Sequence, residues 1–420
     1  MSMNEEIMLI QARQLYEMGL LEREQAVYDK ALEFYQQAEA LYTKLNHKKG
    51  VVECYNQMAN VYKHQGNYPT SMSYFQRALV LCEEHSFSKK RALILANMGT
   101  LFNFQSEYEK AISHWEEALR FHRENNDVFY ESVCLGDVAT SYLKVGRLDD
   151  AERALKRSLQ LHQEIGNRRS EGITLNNLAN LYQSRGEVMQ AKSYFHQALV
   201  IHREIENRQS EAITLGSLGI LYLTLAKNKL SNEMLVASIE ILRDIGNQRM
   251  EAIFSGYLGR NQYESGEQDK GFQTLNRAIE ICQSLNDKSY TSTFFMFKGK
   301  FYLSSNDLPN AKEAFQQAQK YCTDQNRILI NLCLAPIYAQ QGDLDQAHSL
   351  ISDLDDSIQH HPAEYSQVLF QKAQVYCYMK DEFRKNEAFQ AAMDIYNSHH
   401  LSQFREVRVI MMQTQSMMTL

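Results

Sequence analysis

The sequence predicts an all-α chain built as a stack of helix hairpins, and three observations predict it. Small or turn-forming residues recur every forty positions, at Ala26, Gly66, Ser106, Gly146, Gly186, Ala226, Gly266 and Asn306. Five residues after each stands a second small residue: Ala31, Ser71, Ala111, Ala151, Ala191, Ser231, Gly271 and Ala311. Between these marks apolar residues recur at the spacing of one helix face, as at Leu175, Leu178, Ala179 and Tyr182. A unit of this length is one supersecondary element that cannot bury its apolar face alone, so neighbours must stack. A stack presents a surface, and binding to that surface is the expected class of function.

Each unit reads as a helix A, a turn at the periodic small residue, and a helix B. Helix A carries its own small residue, at Gly19, Ala59, Gly99, Ala139, Ala179, Gly219, Gly259 and Gly299. An aromatic follows three residues later at Tyr62, Phe102, Tyr142, Tyr182, Tyr222 and Tyr302, with Glu22 and Gln262 as exceptions. A residue without bulk lets helix B approach closely, and the aromatic fills the space beside it. Helix B carries a large apolar residue at Tyr35, Phe75, Trp115, Leu155, Phe195, Leu235, Leu275 and Phe315. Gly166-Asn167 and Glu206-Asn207 close B helices, where a left-handed residue caps free carbonyls. Pro69 and Pro309 open B helices, where the missing N–H is no loss and the fixed φ suits the first turn.

Ten repeats begin near Gln11, Val51, Arg91, Glu131, Glu171, Glu211, Glu251, Thr291, Arg327 and Ala363. They divide into eight regular repeats over 1–326, two divergent ones over 327–400, and a capping helix with a tail over 401–420, in one continuous array. The divergent pair breaks the period, since Gly342 follows Asn306 by 36 residues and Pro336 falls inside a helix A. A kink or altered stacking is expected there. Leu401–Met418 reads as a lone final helix whose Met-rich face covers the end of the stack. In the sixth unit the stretch from Ala226 to Ser231 replaces the Gly…Ala signature, and a local change of curvature is expected over 226–234.

Composition narrows the function. The 420 residues exceed the size at which one compact core stops growing, about 250–300 residues, but a stack escapes that limit because each repeat touches only its neighbours. The net charge of −7, with no run of Lys or Arg, argues against nucleic acid as the main partner. The start, from Met1 to Glu6, is acidic and lacks the basic and apolar regions of a secretory signal. No stretch approaches the roughly 18 apolar residues of a membrane span, so no membrane insertion is expected. Seven scattered cysteines without a C-x-x-C pair read as reduced, buried thiols of a cytoplasmic protein.

No pattern of residues carries catalysis. There is no carboxylate pair placed for acid–base work and no phosphate-cradling glycine loop, so neither an enzyme nor a cofactor is expected. His122, His162 and His202 share one register. Helices pack about 8–10 Å apart, which puts equivalent B helices roughly 20 Å apart, against metal–nitrogen bonds of about 2 Å. These histidines therefore read as a repeat-surface position and not as a metal site. His360-His361 and His399-His400 read as solvated loop residues. Trp115 shares the register of Phe75 and Phe195 and belongs to the core. Glu131, Glu171, Glu211 and Glu251 open successive A helices, where the dipole favours them, and Arg168 and Arg208 precede two of them by three residues.

The order within the unit resembles the tetratricopeptide repeat family: small-x-x-aromatic in helix A, a Gly turn, then Ala, aromatic and Ala in helix B. The period alone also admits HEAT or armadillo repeats of about 40–47 residues, and the internal order decides. The usual tetratricopeptide unit has about 34 residues, so the extra ones lengthen the helices. Gly-Asn or Asn-Asp stands where a closing proline is common. This long unit resembles those of spindle-orienting scaffolds of the Pins/LGN type and of bacterial regulators with long arrays. The resemblance implies a right-handed α-solenoid with its A helices lining a concave groove. It also implies that positions flanking the small residue of helix A point into that groove. Here they are Gln57 and Asn60, Asn97 and Thr100, Asp137 and Thr140, then Asn177 and Asn180. An amide carries donor and acceptor together and can hold an extended peptide backbone. Asp137, Ser217 and Tyr257 depart from the asparagine ladder, which leaves units two to five the most peptide-like. Lys63 and Lys144 form no matched set with which to clamp a C-terminal carboxylate. The implied role is a non-enzymatic adaptor that binds a peptide segment of a partner protein. Two alternatives stand beside it: a peptide-sensing regulator that changes curvature, and a self-assembling array with the C-terminal helix as the homo-oligomer contact.

Overall fold

The structure, a computed structural model, describes residues 2–322, 324–352, 362–399, 401–403 and 405–418. His360, His361 and His400 lie outside the described residues. The chain divides into two compact units, residues 1–167 and 168–420. Among the described residues every regular element is a helix.

Unit 1 holds four hairpins. Its A helices are α1 (Met3–Glu24), α3 (Lys48–His64), α5 (Ser88–Phe104) and α7 (Val128–Lys144). Its B helices are α2 (Tyr28–Lys44), α4 (Tyr68–Glu84), α6 (Tyr108–Glu124) and α8 (Leu148–Glu164). Unit 2 continues with α9 (Arg168–Ser184), α10 (Val188–Glu204), α11 (Arg208–Thr224), α12 (Asn228–Asp244), α13 (Gln248–Glu264) and α14 (Gln268–Ser284). There follow α15 (Lys288–Ser304), α16 (Leu308–Tyr321), α17 (Asp324–Gln340), α18 (Leu344–Ser352), α19 (Pro362–Tyr378) and α20 (Glu382–Ser398). Where the sequence predicts one helix over Leu401–Met418, there is a short turn of 3-10 helix, Leu401–Gln403, and then α21 (Arg405–Met418).

The backbone beat is twenty residues, half the period of the sequence. From α2 to α15 every helix has 17 residues, with a three-residue turn between neighbours. Each turn holds one residue with positive φ, after helix A (Ala26, Gly66, Ser106, Gly146) and after helix B (Asn46, Ser86, Asn126) alike. The next N–H then reaches back to close the helix. The Asn67 amide donates to the Tyr62 carbonyl at 2.9 Å and the Glu107 amide to the Phe102 carbonyl at 2.9 Å. This is the bond that satisfies an orphan carbonyl at a helix end. Ala226 keeps the left-handed turn at φ 58°, and α12 keeps its 17 residues. The sixth unit has therefore lost the signature residues but not the turn. Pro69 and Pro309 lie in the first turn of α4 and α16, and Pro336 lies inside α17.

The A–B seam rests on a small-to-large pair. A Cβ built on Gly99 would sit 2.9 Å from the Trp115 ring, and one on Gly299 would sit 2.6 Å from Phe315. The partner is the large helix-B residue sixteen positions downstream. At Gly259 the approach is backbone to backbone, with Leu275 N at 2.8 Å and Gly271 O at 2.9 Å from a built Cβ. Tyr35, Phe75, Trp115, Leu155, Phe195, Leu235, Leu275 and Phe315 are all buried, as the register requires.

Candidate functional site on the A-helix faces

In unit 1 one flanking position, Asn97, bonds across to the neighbouring A helix, and Lys63 and Asp137 interact electrostatically, which marks a polar stripe over α3, α5 and α7. Spacings of three and four put Asn56, Gln57, Asn60 and Lys63 on one face of α3. Asn97 donates across the helix gap to the Asn56 side-chain oxygen at 2.8 Å. Lys63 donates to the Asn60 side-chain oxygen at 2.9 Å. Ser141 on α7 donates to the Asn103 side chain on α5 at 3.0 Å. Gln57 turns toward α1, accepting from Arg23 and donating to the Tyr16 hydroxyl at 3.2 Å. The Asn60 amide donates to its own helix at the Asn56 carbonyl, as do Thr100 to Ala96 and Thr140 to Asp137. Much of the donor capacity expected of the ladder is thus used between and within A helices.

Two charges stand in this stripe. Lys63 is buried, and desolvation pulls its ammonium down to about 8, with the Asp137 carboxylate acting the other way. Burial pushes Asp137 up to about 6, opposed by Lys63. Asp137 makes no ion pair within 4 Å among the described residues. Asn56, Lys63, Asn103 and Ser141 are members that the ladder of flanking positions omits. They lie one residue before or six after the ladder's first position, or four after its Asp137, so a helical wheel carried across the repeats finds them. Asn177 and Asn180 belong to α9 of unit 2, where Asn177 is half-buried and Asn180 exposed.

Unit 2 carries a cavity of about 390 Å³ walled by α13, α15, α17, α19 and α21. Phe297, Phe301 and Ile337 make it apolar, and Gln340, Gln371 and Gln413 bring amides to its rim. Tyr263 stacks on Phe301 with ring centroids 3.8 Å apart and donates to the Phe301 carbonyl at 2.9 Å. Arg260 is buried over the Phe297 ring, 5.0 Å from its centroid, with its Nε on Glu264 at 2.8 Å.

Other candidates take scaffold positions, with two corrections. His122, His162 and His202 are buried, not at the surface. The His122 ring stacks on Tyr130, and His202 fills the space left by Gly172, where a Cβ would lie 2.5 Å from the ring. Burial holds His122 and His202 below the usual imidazole range. The glutamate ladder is also paired differently. Arg168 meets Glu171 at 2.7 Å, but Arg208 meets Asp244 at 3.2 Å, and Glu211 takes Arg203 at 2.6 Å. Arg123–Glu131 and Arg243–Glu251 repeat that bond across the B–A turn, because eight residues through a tight turn bring the two side chains level. His399, on the turn after α20, is exposed. Trp115 is core. The seven cysteines are free thiols, and burial pushes Cys82 and Cys282 up to about 11. Among the described residues no cluster could hold a metal ion, and no helix is long and apolar enough to cross a membrane.

Comparison with known proteins adds the family. A MalT-like TPR region matches residues 59–236, a tetratricopeptide repeat matches 11–84, and a tetratricopeptide repeat-like domain matches 248–416. No protein of curated description matches the sequence. Among solved structures, a Rap protein complexed with Competence and Sporulation Factor is 15% identical, with a TM-score of 0.54 over 95% of this chain and 99% of that one. Aspartyl phosphate phosphatase F from Bacillus subtilis is 17% identical, with a TM-score of 0.55 over 67% of this chain and 72% of that one. A Rap conjugation gene regulator in complex with its Phr peptide is 13% identical, with a TM-score of 0.53 over 75% and 94%. At these identities the likeness is one of fold. With the three family matches spread over both units and the small-to-large hairpin seam repeated through them, the chain belongs to the tetratricopeptide repeat family.

Proposed function

We propose that this protein is a non-enzymatic adaptor that binds a segment of a partner protein along the A-helix face of unit 1. The observation that carries the reading is the polar stripe of Asn56, Asn60, Lys63, Asn97 and Asp137. A buried lysine and a half-buried carboxylate without an ion pair are expensive in a scaffold, and neither is needed to join the helices. A partner that brings a cation to Asp137 and backbone groups to the Asn97 amide relieves that cost. Membership of a repeat family that presents surfaces supports the reading, as does the likeness in fold to Rap proteins solved with a bound factor or peptide. Asn177 and Asn180 are assigned the same role on α9 of unit 2.

The test is partner recovery from the native host with full-length variants. Asn97→Ala and Asp137→Asn are expected to reduce recovery at least tenfold, while Gln197→Ala on the exposed side of α10 leaves it unchanged. Equal recovery with all three, with helicity intact, sinks the proposal.

A further inference from the structure

One face of α1 packs on α2, and the opposite face is exposed. Ala12 and Gly19 are buried on the inner face, with Leu15 and Leu20 packed beside them. On the outer face Ile7, Ile10, Met18 and Leu21 are exposed. In the other A helices of unit 1 this face lies against the B helix before it, α3 on α2, α5 on α4 and α7 on α6. A Cβ built on Gly50, the register mate of Ile10, would meet the Tyr42 ring of α2 at 2.5 Å. Met18 is 44% exposed, whereas Met58, the methionine at the same register of α3, is 2% exposed. This is the stacking face, distinct from the polar stripe of Asn97 and Asp137. An apolar stripe here is built to be covered, since a stack ends in a polar face where it meets water.

The pattern of the stripe indicates what covers it. Ile7, Ile10, Gln14, Met18 and Leu21 lie seven and four residues on either side of Gln14. Turned end for end about Gln14, the stripe falls on itself. Ile7 then meets Leu21 of a second copy, and Ile10 meets Met18. The two Gln14 amides, each both donor and acceptor, meet each other. A two-fold contact needs such self-complementarity, because each residue must fit its mate in both directions. The charges agree with it. Arg13 and Glu17 line a shallow groove on this face with Ile10, Gln14, Met18 and Leu21, and neither has an ion pair among the described residues. Both stand on one flank of the stripe. The same rotation brings Glu17 of the second copy to within about 3 Å of Arg13 along the axis, twice over by symmetry. Glu6 meets a like charge, Glu24 of the second copy, at each end. The C-terminal helix offers no such stripe. It lies on α19 with Val407 and Thr414 buried, and Gln374 donates to the Thr414 hydroxyl at 2.9 Å.

We propose that the outer face of α1 is a self-association surface, on which a second copy of this chain seats its own α1, antiparallel and centred on Gln14. A helix of 22 residues is about 33 Å long, and one face of it covers less than the roughly 800 Å² per partner of a stable dimer. The pair therefore forms as concentration rises, and its two-fold symmetry stops it at two copies. This inference is independent of the adaptor reading.

The test is sedimentation of the full chain from about 1 to 100 µM, where a monomer–dimer equilibrium is expected. Ile10→Asp with Met18→Asp is expected to weaken pairing at least tenfold with helicity unchanged, since both side chains are exposed. Arg13→Glu alone and Glu17→Arg alone are each expected to weaken it at least threefold. An equimolar mixture of these two variants is expected to pair at least as well as the parent, because each finds its opposite charges only in the other. Glu24→Lys is expected to tighten pairing. A monomer throughout the range, species beyond the dimer, pairing that survives the two aspartates, or charge variants that do not rescue each other would overturn the proposal. Asn97→Ala is expected to pair like the parent, so failure here and failure of the adaptor reading are told apart.

Discussion

Asp137 is a carboxylate pushed up to about 6 by burial, with only the Lys63 ammonium pulling it back. A carboxyl whose folded value is raised binds its proton more tightly when folded. Its stabilising contribution is therefore present below the ordinary carboxylate range and is lost as pH rises through about 6. The stability of the parent chain relative to Asp137→Asn should fall by about 1–2 kcal/mol between pH 4 and pH 6.5, allowing for partial exposure. Thermal melts of both proteins across that range check it, and a constant difference contradicts it. Glycines give a prediction of opposite signs. Gly259→Ala forces a methyl into backbone atoms at 2.8 and 2.9 Å that cannot step aside, and should destabilise by about 1–3 kcal/mol. Gly136→Ala meets only the Ser158 hydroxyl at 3.6 Å and should stabilise by up to about 1 kcal/mol from helix propensity. Denaturant unfolding of the two variants decides it. Gly259 was legible as a seam residue because it recurs with the period. Asn56 was legible only to a helical wheel carried across the repeats, and Lys63 only as a lysine without a matched set, because nothing in one repeat marks which polar residue beside the seam faces a neighbour.

At the scale of the element, the turn matters more than its residue. Ala26, Ser106, Ala226 and Asn306 adopt the same left-handed conformation as Gly66 and Gly146. Strain at a non-glycine residue there costs about 1–2 kcal/mol, against roughly 0.5–1 kcal/mol of extra chain entropy for glycine. Ala226→Gly should therefore stabilise by about 0.5–1 kcal/mol, read as a raised melting temperature, and a lowered one would count against this account of the turn. Helix ends were legible because the turn residue recurs. The arginine–glutamate bonds across the B–A turn were not, since an eight-residue separation pairs side chains only once the turn is known to be tight. The buried histidines were misplaced for a related reason. Polarity suggested the surface, but a glycine opposite, as at Gly172, makes room for an imidazole inside.

For the whole molecule, the all-α class follows from periodicity, because a stacked array repeats its packing chemistry in every unit, and the family from the order of small and aromatic residues inside the unit. The candidate site was legible only as a register. Which amides face a partner and which bond each other depends on distances between helices, and Asn97 serves Asn56 across such a gap at 2.8 Å. The position of α21 on α19 was also out of reach, because an amphipathic stripe states that a helix is covered and not by what. Removing α21 contacts by Thr414→Arg should leave the melting of unit 1 unchanged, since that unit has its own apolar core from Ala12 to Leu101. A single merged transition that shifts as a whole would oppose this. The central claim is that a protein segment lies along the stripe of α3, α5 and α7. The direct measurement is site-specific photo-crosslinking from position 97 and, as reference, from exposed position 197 on α10, in the native host. The account predicts one defined crosslinked polypeptide from position 97 that disappears with Asp137→Asn. Equal crosslinking from both positions, or a position 97 product indifferent to Asp137, would contradict it.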